Sequence, residues 1–287
     1  MSFDYDKLKN WPFEEITQTY TSRDTILYAL GVGLGADPMD EQQLQYVFEE
    51  AEPFMALPTM AVVLGSPGFW SRDPKTGIDW VKVLHGEQKM VIHNPLPTSA
   101  TIKAKSKVTG LVDKGADKGA LILTERTLKD AESGLDLATL TSTTFARGNG
   151  GYDGPSDEAP RPHKVPEREP DFSVDLTTLD MAALIYRLSG DYNPLHASPS
   201  VARAAGFPKP ILHGLCSLGV AGHAILKGCC DYDAKRLKSL QLRFSSPVYP
   251  GETVRTEIWR DGANISFKSK IVERDVVVLD NGHATVE

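Results

Sequence analysis

Asp191, Asn193 and His196 fall within six residues of one another, in Ser-Gly-Asp-Tyr-Asn-Pro-Leu-His (189–196). An apolar run from Leu179 to Leu188 leads into this stretch, and Gly190 and Pro194 interrupt any regular element there. The three polar side chains are therefore expected on a tight turn. An acid and an imidazole crowded at the end of a buried helix add little to stability. They are explained if the pair exchanges a proton with a ligand or a water. A second group of interest is His213-Gly214, which opens an apolar stretch with many small residues. A backbone N–H at such a helix start can stabilise a developing negative charge, and glycine leaves room for a reacting group to come close.

Several other chemistries are excluded or disfavoured. Cys216 follows the expected helix start with no base implied beside it, so it is not read as a nucleophile. The three cysteines are odd in number and two are adjacent, Cys229 and Cys230, which suits reduced thiols. No zinc-ligand spacing occurs, so no metal is expected. Gly148-Asn-Gly-Gly151 lacks the lysine and following helix of a phosphate loop. A net charge of -7 gives no basic excess for binding nucleic acid. No apolar run is long enough to span a membrane.

The elements that must hold these residues form two similar sets. In the first half, a helix-like segment at 25–30 and a short helix or strand at 41–48 are followed by strand-like segments at 82–93, 100–108, 120–128 and 135–145. Residues 59–64 fit either a helix or a strand. The second half is expected to contain a helix within 175–188, a helical turn at 199–205 and a long helix at 212–227. Strands follow at 239–244, 253–259, 265–272 and 276–279. Between the halves lies a segment rich in Gly and Pro, which sets the expected boundaries at 1–148, 149–172 and 173–287. The halves also align weakly. Asn94-Pro-Leu-Pro lies against Ser246-Pro-Val-Tyr-Pro, and Leu27-Tyr-Ala-Leu-Gly31 against Ile185-Tyr-Arg-Leu-Ser189. Where the second half has its Asp–Asn–His turn, the first has Gly31-Val-Gly-Leu-Gly35. One active site is therefore expected rather than two. The order of elements predicts an α+β fold of two hotdog domains in one chain, each a curled antiparallel sheet around a long helix.

The stretch 189–196 resembles the signature of the (R)-specific 2-enoyl-CoA hydratases, the hydratase 2 or MaoC-like family. The resemblance covers nearly the whole chain. It includes Ala205-Gly-Phe-Pro-Lys-Pro-Ile-Leu-His-Gly-Leu-Cys216, Trp80-Val-Lys-Val-Leu-His-Gly-Glu-Gln88, Phe145-Ala-Arg-Gly-Asn-Gly-Gly-Tyr152 and Arg243-Phe-Ser-Ser-Pro-Val-Tyr-Pro-Gly251. It implies reversible hydration of trans-2-enoyl-CoA to (3R)-3-hydroxyacyl-CoA, without a metal or redox cofactor. Asp191 and His196 would be acid and base in either order, Asn193 would orient the Asp and the water, and Gly214 N–H would be the oxyanion donor. The resemblance also implies that His85, Gly86, Lys114 and Phe244 line the CoA and acyl site. Arg243, Lys103, Lys105 and Lys107 are further phosphate candidates. His213 is ranked as structural.

A hotdog thioesterase and a non-catalytic acyl-CoA-binding subunit are the competing readings. Medium to long acyl chains and a homodimer are expected. The C-terminal Ala-Thr-Val-Glu is not a peroxisomal address, which favours a bacterial cytoplasm; a eukaryotic source would imply the peroxisome.

Overall fold

The computed structural model describes residues 3–287. In chain order the elements are α1 (Tyr5–Lys9), β1 (Ile16–Tyr20), α2 (Ser22–Gly31), α3 (Glu41–Leu44), β2 (Val83–Ile92), β3 (Ala100–Asp113), β4 (Ala120–Asp130) and β5 (Asp136–Ala146). The second half adds β6 (Phe172–Thr177), α4 (Ala182–Tyr186), α5 (Pro199–Ala204), α6 (Gly214–Cys229), β7 (Leu237–Phe244), β8 (Thr253–Asp261), β9 (Asn264–Ile271) and β10 (Val276–Val286).

All ten strands join one antiparallel sheet in the order β1-β3-β4-β5-β2-β7-β10-β9-β8-β6. The two halves meet where β2 pairs with β7, from Glu87↔Arg243 to Val91↔Ser239. Each half contributes five strands, and its first strand lies at the outer edge. This is a double hotdog, and the α+β class read from the element order holds. The alternation of β3 shows why the sheet curls around its contents. Ile102, Ala104, Ser106 and Val108 are buried, while Lys103, Lys105 and Lys107 face outward.

Three expectations change. The helix expected within 175–188 begins as strand β6, because Asp175, Leu176 and Thr177 complete the sheet edge against Arg255, Val254 and Thr253. Only five residues, Ala182–Tyr186, then form α4. Edge strand β1 falls where no strand is expected, since only one of its faces is covered. Finally, a long central helix forms in the second half alone. The matching place in the first half holds a six-residue 3-10 turn, Pro58–Val63, and α6 packs against it. Pro58 and the β-branched Thr59, Val62 and Val63 give that segment poor helix propensity.

The weak internal repeat is visible in space. Tyr28 of α2 and Tyr186 of α4 are both fully buried, and their rings lie 5.8 Å apart across the junction. The Gly- and Pro-rich stretch between β5 and β6 has no regular element, yet it is anchored. Tyr152 is buried with Phe3 and Leu111, and Asp157 accepts from Leu111 N–H and Lys9.

Candidate active site

Gly190 ends the segment after α4 with φ 118°, a conformation that favours glycine, and turns the chain toward Asp191. The Asp191 carboxylate accepts from Asn193 N–H at 3.1 Å, and Asn193 Oδ1 accepts from Leu195 N–H at 3.1 Å. Asn193 therefore orients Asp191 through its main chain. Its amide oxygen, expected to act on the acid and the water, is committed to capping the Pro194–His196 turn.

That turn brings His196 inward, where it is buried. Its Nδ1 lies 2.9 Å from the Ile211 carbonyl, which can only accept, so Nδ1 carries the hydrogen. Nε2 then holds the lone pair. Burial lowers the imidazole pKa, the Ile211 bond and the Asp191 charge raise it less, and the ring is neutral at pH 7.

His213 completes the group. It is the N-cap of α6, and its Nε2 donates to the Asp191 main-chain carbonyl at 3.1 Å. Its ring stacks on that of His196 with centroids 3.8 Å apart and planes at 29°. Burial, then the neighbouring His196, push His213 down from the usual imidazole range. Ligand atoms of Asp191, His196 and His213 lie within 4.8 Å of one another.

Gly214 is the first residue of α6. The first main-chain bond of the helix is Ser217 N–H to the His213 carbonyl, so the Gly214 amide is outside the helical ladder. A Cβ on Gly214 would lie 3.3 Å from the Phe244 ring, which explains the glycine. Phe244 in turn contacts His85, with ring centroids 4.8 Å apart.

His85 reaches this place through a bulge. The β2–β5 register shifts between His85 and Glu87, and a Cβ on Gly86 would meet the Thr143 carbonyl at 3.1 Å. His85 remains accessible to solvent although protein surrounds it closely, as on the wall of a cleft, and its imidazole pKa is lowered. Asp191 thus lies close enough to His85 to act on its charge, His85 touches Phe244, and Phe244 abuts Gly214, so groups from both halves gather beside His196.

The basic candidates divide. Lys114 lies in the β3–β4 hairpin and lines a recess of about 380 Å³ with Asp117, Lys118, Phe145 and Arg147. Phe145, which lines that recess, pairs on β5 with Leu84, and its neighbour Thr144 pairs with His85. Arg243 is not free for a phosphate: its guanidinium holds Glu87 Oε1 at 2.6 and 3.0 Å. Lys103 and Lys107 project from the outer face of β3 toward Glu15 and Glu125, with Lys105 beside them. They are three strands from β2 and do not join the site. Cys216 is fully buried, burial pushes its thiol up, and its Sγ donates to the Gly31 carbonyl, so it is no nucleophile. Sequence reasoning missed two arginines: Arg187, over the Tyr192 ring at 5.0 Å, and Arg126, on the inner face of β4. A lone arginine in an apolar pattern was the only signal for the latter.

A double hotdog with a carboxylate, a buried neutral imidazole and a helix N-terminus in one cleft defines an acyl-thioester enzyme of the MaoC-like class. Residues 18–148 match the family model described as the MFE-2 hydratase 2 N-terminal domain, and residues 162–282 match the MaoC like domain. The chain belongs to the hydratase 2 branch of the MaoC-like family. It is 38% identical to Arabidopsis thaliana "Enoyl-CoA hydratase 2, peroxisomal" over 96% of this chain and 94% of the relative. It is also 38% identical to the Mus musculus peroxisomal multifunctional enzyme type 2, covering 93% of this chain but only 36% of that longer protein. A solved MaoC-like dehydratase from Phytophthora capsici superposes with a TM-score of 0.87, at 39% identity and 98% coverage of both chains.

Proposed function

We propose that this chain is a hydro-lyase that reversibly adds water to trans-2-enoyl-CoA, giving (3R)-3-hydroxyacyl-CoA, in fatty-acid β-oxidation or related acyl-CoA metabolism. The observation that carries this is the lone pair of His196 Nε2, set beside the Asp191 carboxylate and the N-terminus of α6. Of the two assignments left open by the residue types, this geometry favours His196 as the base. Nε2 takes a proton as the water oxygen bonds to C3 of the enoyl group. Electrons shift through C2 to the thioester oxygen, where the Gly214 N–H and the helix dipole stabilise the enolate. The proton taken from the water passes from Nε2 through the Asp191 carboxylate to C2. The imidazole ends neutral and the carboxylate ionised, as they began, with one water added. Asn193 and His213 hold Asp191 in place through its carboxylate and its carbonyl respectively.

The recess at Lys114, Lys118 and Arg147 suits the phosphates of CoA, with the pantetheine arm running along β5 to the cleft. The short 58–63 turn in place of a long helix supports medium to long acyl chains. A steady fall of kcat/KM from four to ten carbons would rule them out. The chemistry moves protons only, so activity is expected to survive dialysis against a chelator. Exposed Met181, Leu184, Leu188 and Tyr192, on and around α4, support a homodimer, which sedimentation would detect. The buried free cysteines suit a reducing compartment, bacterial cytoplasm or peroxisome.

Crotonyl-CoA tests the activity. Loss of enoyl absorbance without thiol release, and an (R) product on chiral analysis, is the expected result. Stoichiometric free CoA would establish a thioesterase instead, and no turnover a binding subunit.

A further inference from the structure

Among the described residues, Arg126 in the first half is a guanidinium drawn into the protein with no counter-charge. Arg126 lies on the face of β4 that also carries Thr124 and the fully buried Leu128, while Glu125 on the opposite face pairs with Lys107. Its guanidinium points into the space between the sheet and the 58–63 turn, and one terminal nitrogen donates to the Val62 carbonyl at 2.7 Å. Its Nε is buried with no hydrogen-bond partner, and among the described residues no carboxylate pairs with it. Burial pushes the group down to about 10. A desolvated cation with one neutral carbonyl for company is costly to the fold, and a carbonyl does not balance its charge.

The surroundings suggest where the missing charge comes from. Thr124, Ser142 and Gln88 stand opposite one another on β4, β5 and β2, a polar row across the inner face, which also carries Ser106 opposite Arg126 and Thr144 opposite His85. Thr124 and Ser142 bond to each other at 2.7 Å. The row leads from Arg126 toward His85, and both Arg126 and Asp191 lie close enough to His85 to act on its charge. Two strand spacings, on the order of 10 Å, separate β4 from β2, a span that an extended acyl chain of about ten carbons covers.

We propose that Arg126 receives a carboxylate at the far end of the acyl chain, so that the preferred substrate is an ω-carboxylated trans-2-enoyl-CoA. The proposal rests on the hydratase reading and deepens it. The chain enters between the sheet and the 58–63 turn, its terminal carboxylate forms a charge-assisted pair with the guanidinium, and the polar row solvates the last carbons. Arg126 does not touch the reacting atoms and acts on specificity alone.

The test compares kcat/KM for trans-2-decenoyl-CoA and for the same thioester ending in a carboxylate, in the wild type and in Arg126→Met. The wild type is expected to use the carboxylated substrate at least as well as the methyl-ended one. In Arg126→Met the ratio of the two constants, carboxylate over methyl, should fall about tenfold or more. A general loss of structure moves both constants and leaves the ratio alone. An unchanged ratio in the variant overturns the assignment. Should Arg126→Met not fold, the wild-type ratio decides: hydration of the methyl-ended chain alone overturns this inference and leaves the hydratase reading intact. A wild type that hydrates neither substrate overturns the hydratase reading itself.

Discussion

Two stacked imidazoles, each with one ring nitrogen committed to a main-chain carbonyl, lie beside Asp191. His213 holds the Asp191 carbonyl with Nε2 and lies flat on His196, so one residue positions both groups proposed to move protons. His196 and Asp191 were legible in the sequence because Gly190 and Pro194 compress them into one turn. The commitments of their neighbours were not. Asn193 spends its amide oxygen on the Leu195 N–H, and Arg243 meets Glu87 only because β2 and β7 pair across 156 residues of chain. His196→Gln and Asp191→Asn should each lower kcat by about two to four orders of magnitude with little change in Tm. Near-normal turnover in either would remove that residue from the mechanism. The pH profile gives an independent check. The base must be neutral, and burial lowers the His196 pKa from the ordinary imidazole value of 6.5. Activity is then retained as pH falls through 6.5 and is lost only once Nε2 takes a proton. The acid limb of kcat/KM assigned to this group should lie below 6.5; a midpoint above it would mean that the base is another group.

Among the elements, α6 was the most legible, because its length and its small residues leave few alternatives. The structure shows what the small residues accommodate. A Cβ at Gly219 would lie 2.5 Å from Val32 Cγ1 and 2.9 Å from the Tyr28 hydroxyl, so the first half packs directly onto the helix backbone. Gly219→Ala gains at most about 1 kcal/mol of helix propensity. Forcing Val32 and Tyr28 aside costs about 1–3 kcal/mol. A net loss of stability on urea unfolding is expected, and a gain would show that the junction yields easily. Elements whose form depends on distant pairing were least legible. β1 and β6 are short edge strands with one face open, and their local patterns resemble loop and helix. The 58–63 turn has an apolar sequence compatible with either regular element, and only its place against α6 defines it.

At the scale of the whole molecule, the duplication was legible but its coupling was not. The two halves share a sheet through β2 and β7, and they are also tied beneath it by His223. Its Nδ1 donates to the Val32 carbonyl of the first half at 3.3 Å, and its Nε2 accepts from the Tyr232 hydroxyl at 3.1 Å. Those two bonds require the neutral ring, one nitrogen donating and the other accepting. Nothing local in the sequence marks this residue, because its carbonyl partner lies 191 positions away. Burial pushes its pKa from 6.5 to about 4 in the folded chain. The unfolded chain therefore binds the proton more readily between these values, and stability rises with pH across that window. The contribution is complete above pH 6.5, declines as the pH falls toward 4, and levels off below. A difference of about 2.5 pH units corresponds to about 3 kcal/mol at most. Urea unfolding at pH 7 and pH 4.5 should show a large acid loss in the wild type. In His223→Gln, which cannot titrate there, the stability at pH 7 is lower and the acid loss is smaller by up to that amount. Equal acid losses in the two proteins would mean that His223 accepts a proton without disturbing the junction. The acid sensitivity of the fold would then have to come from other groups, such as the other buried histidines or the carboxylates of Asp157, Asp171 and Asp175, which are held below their usual range.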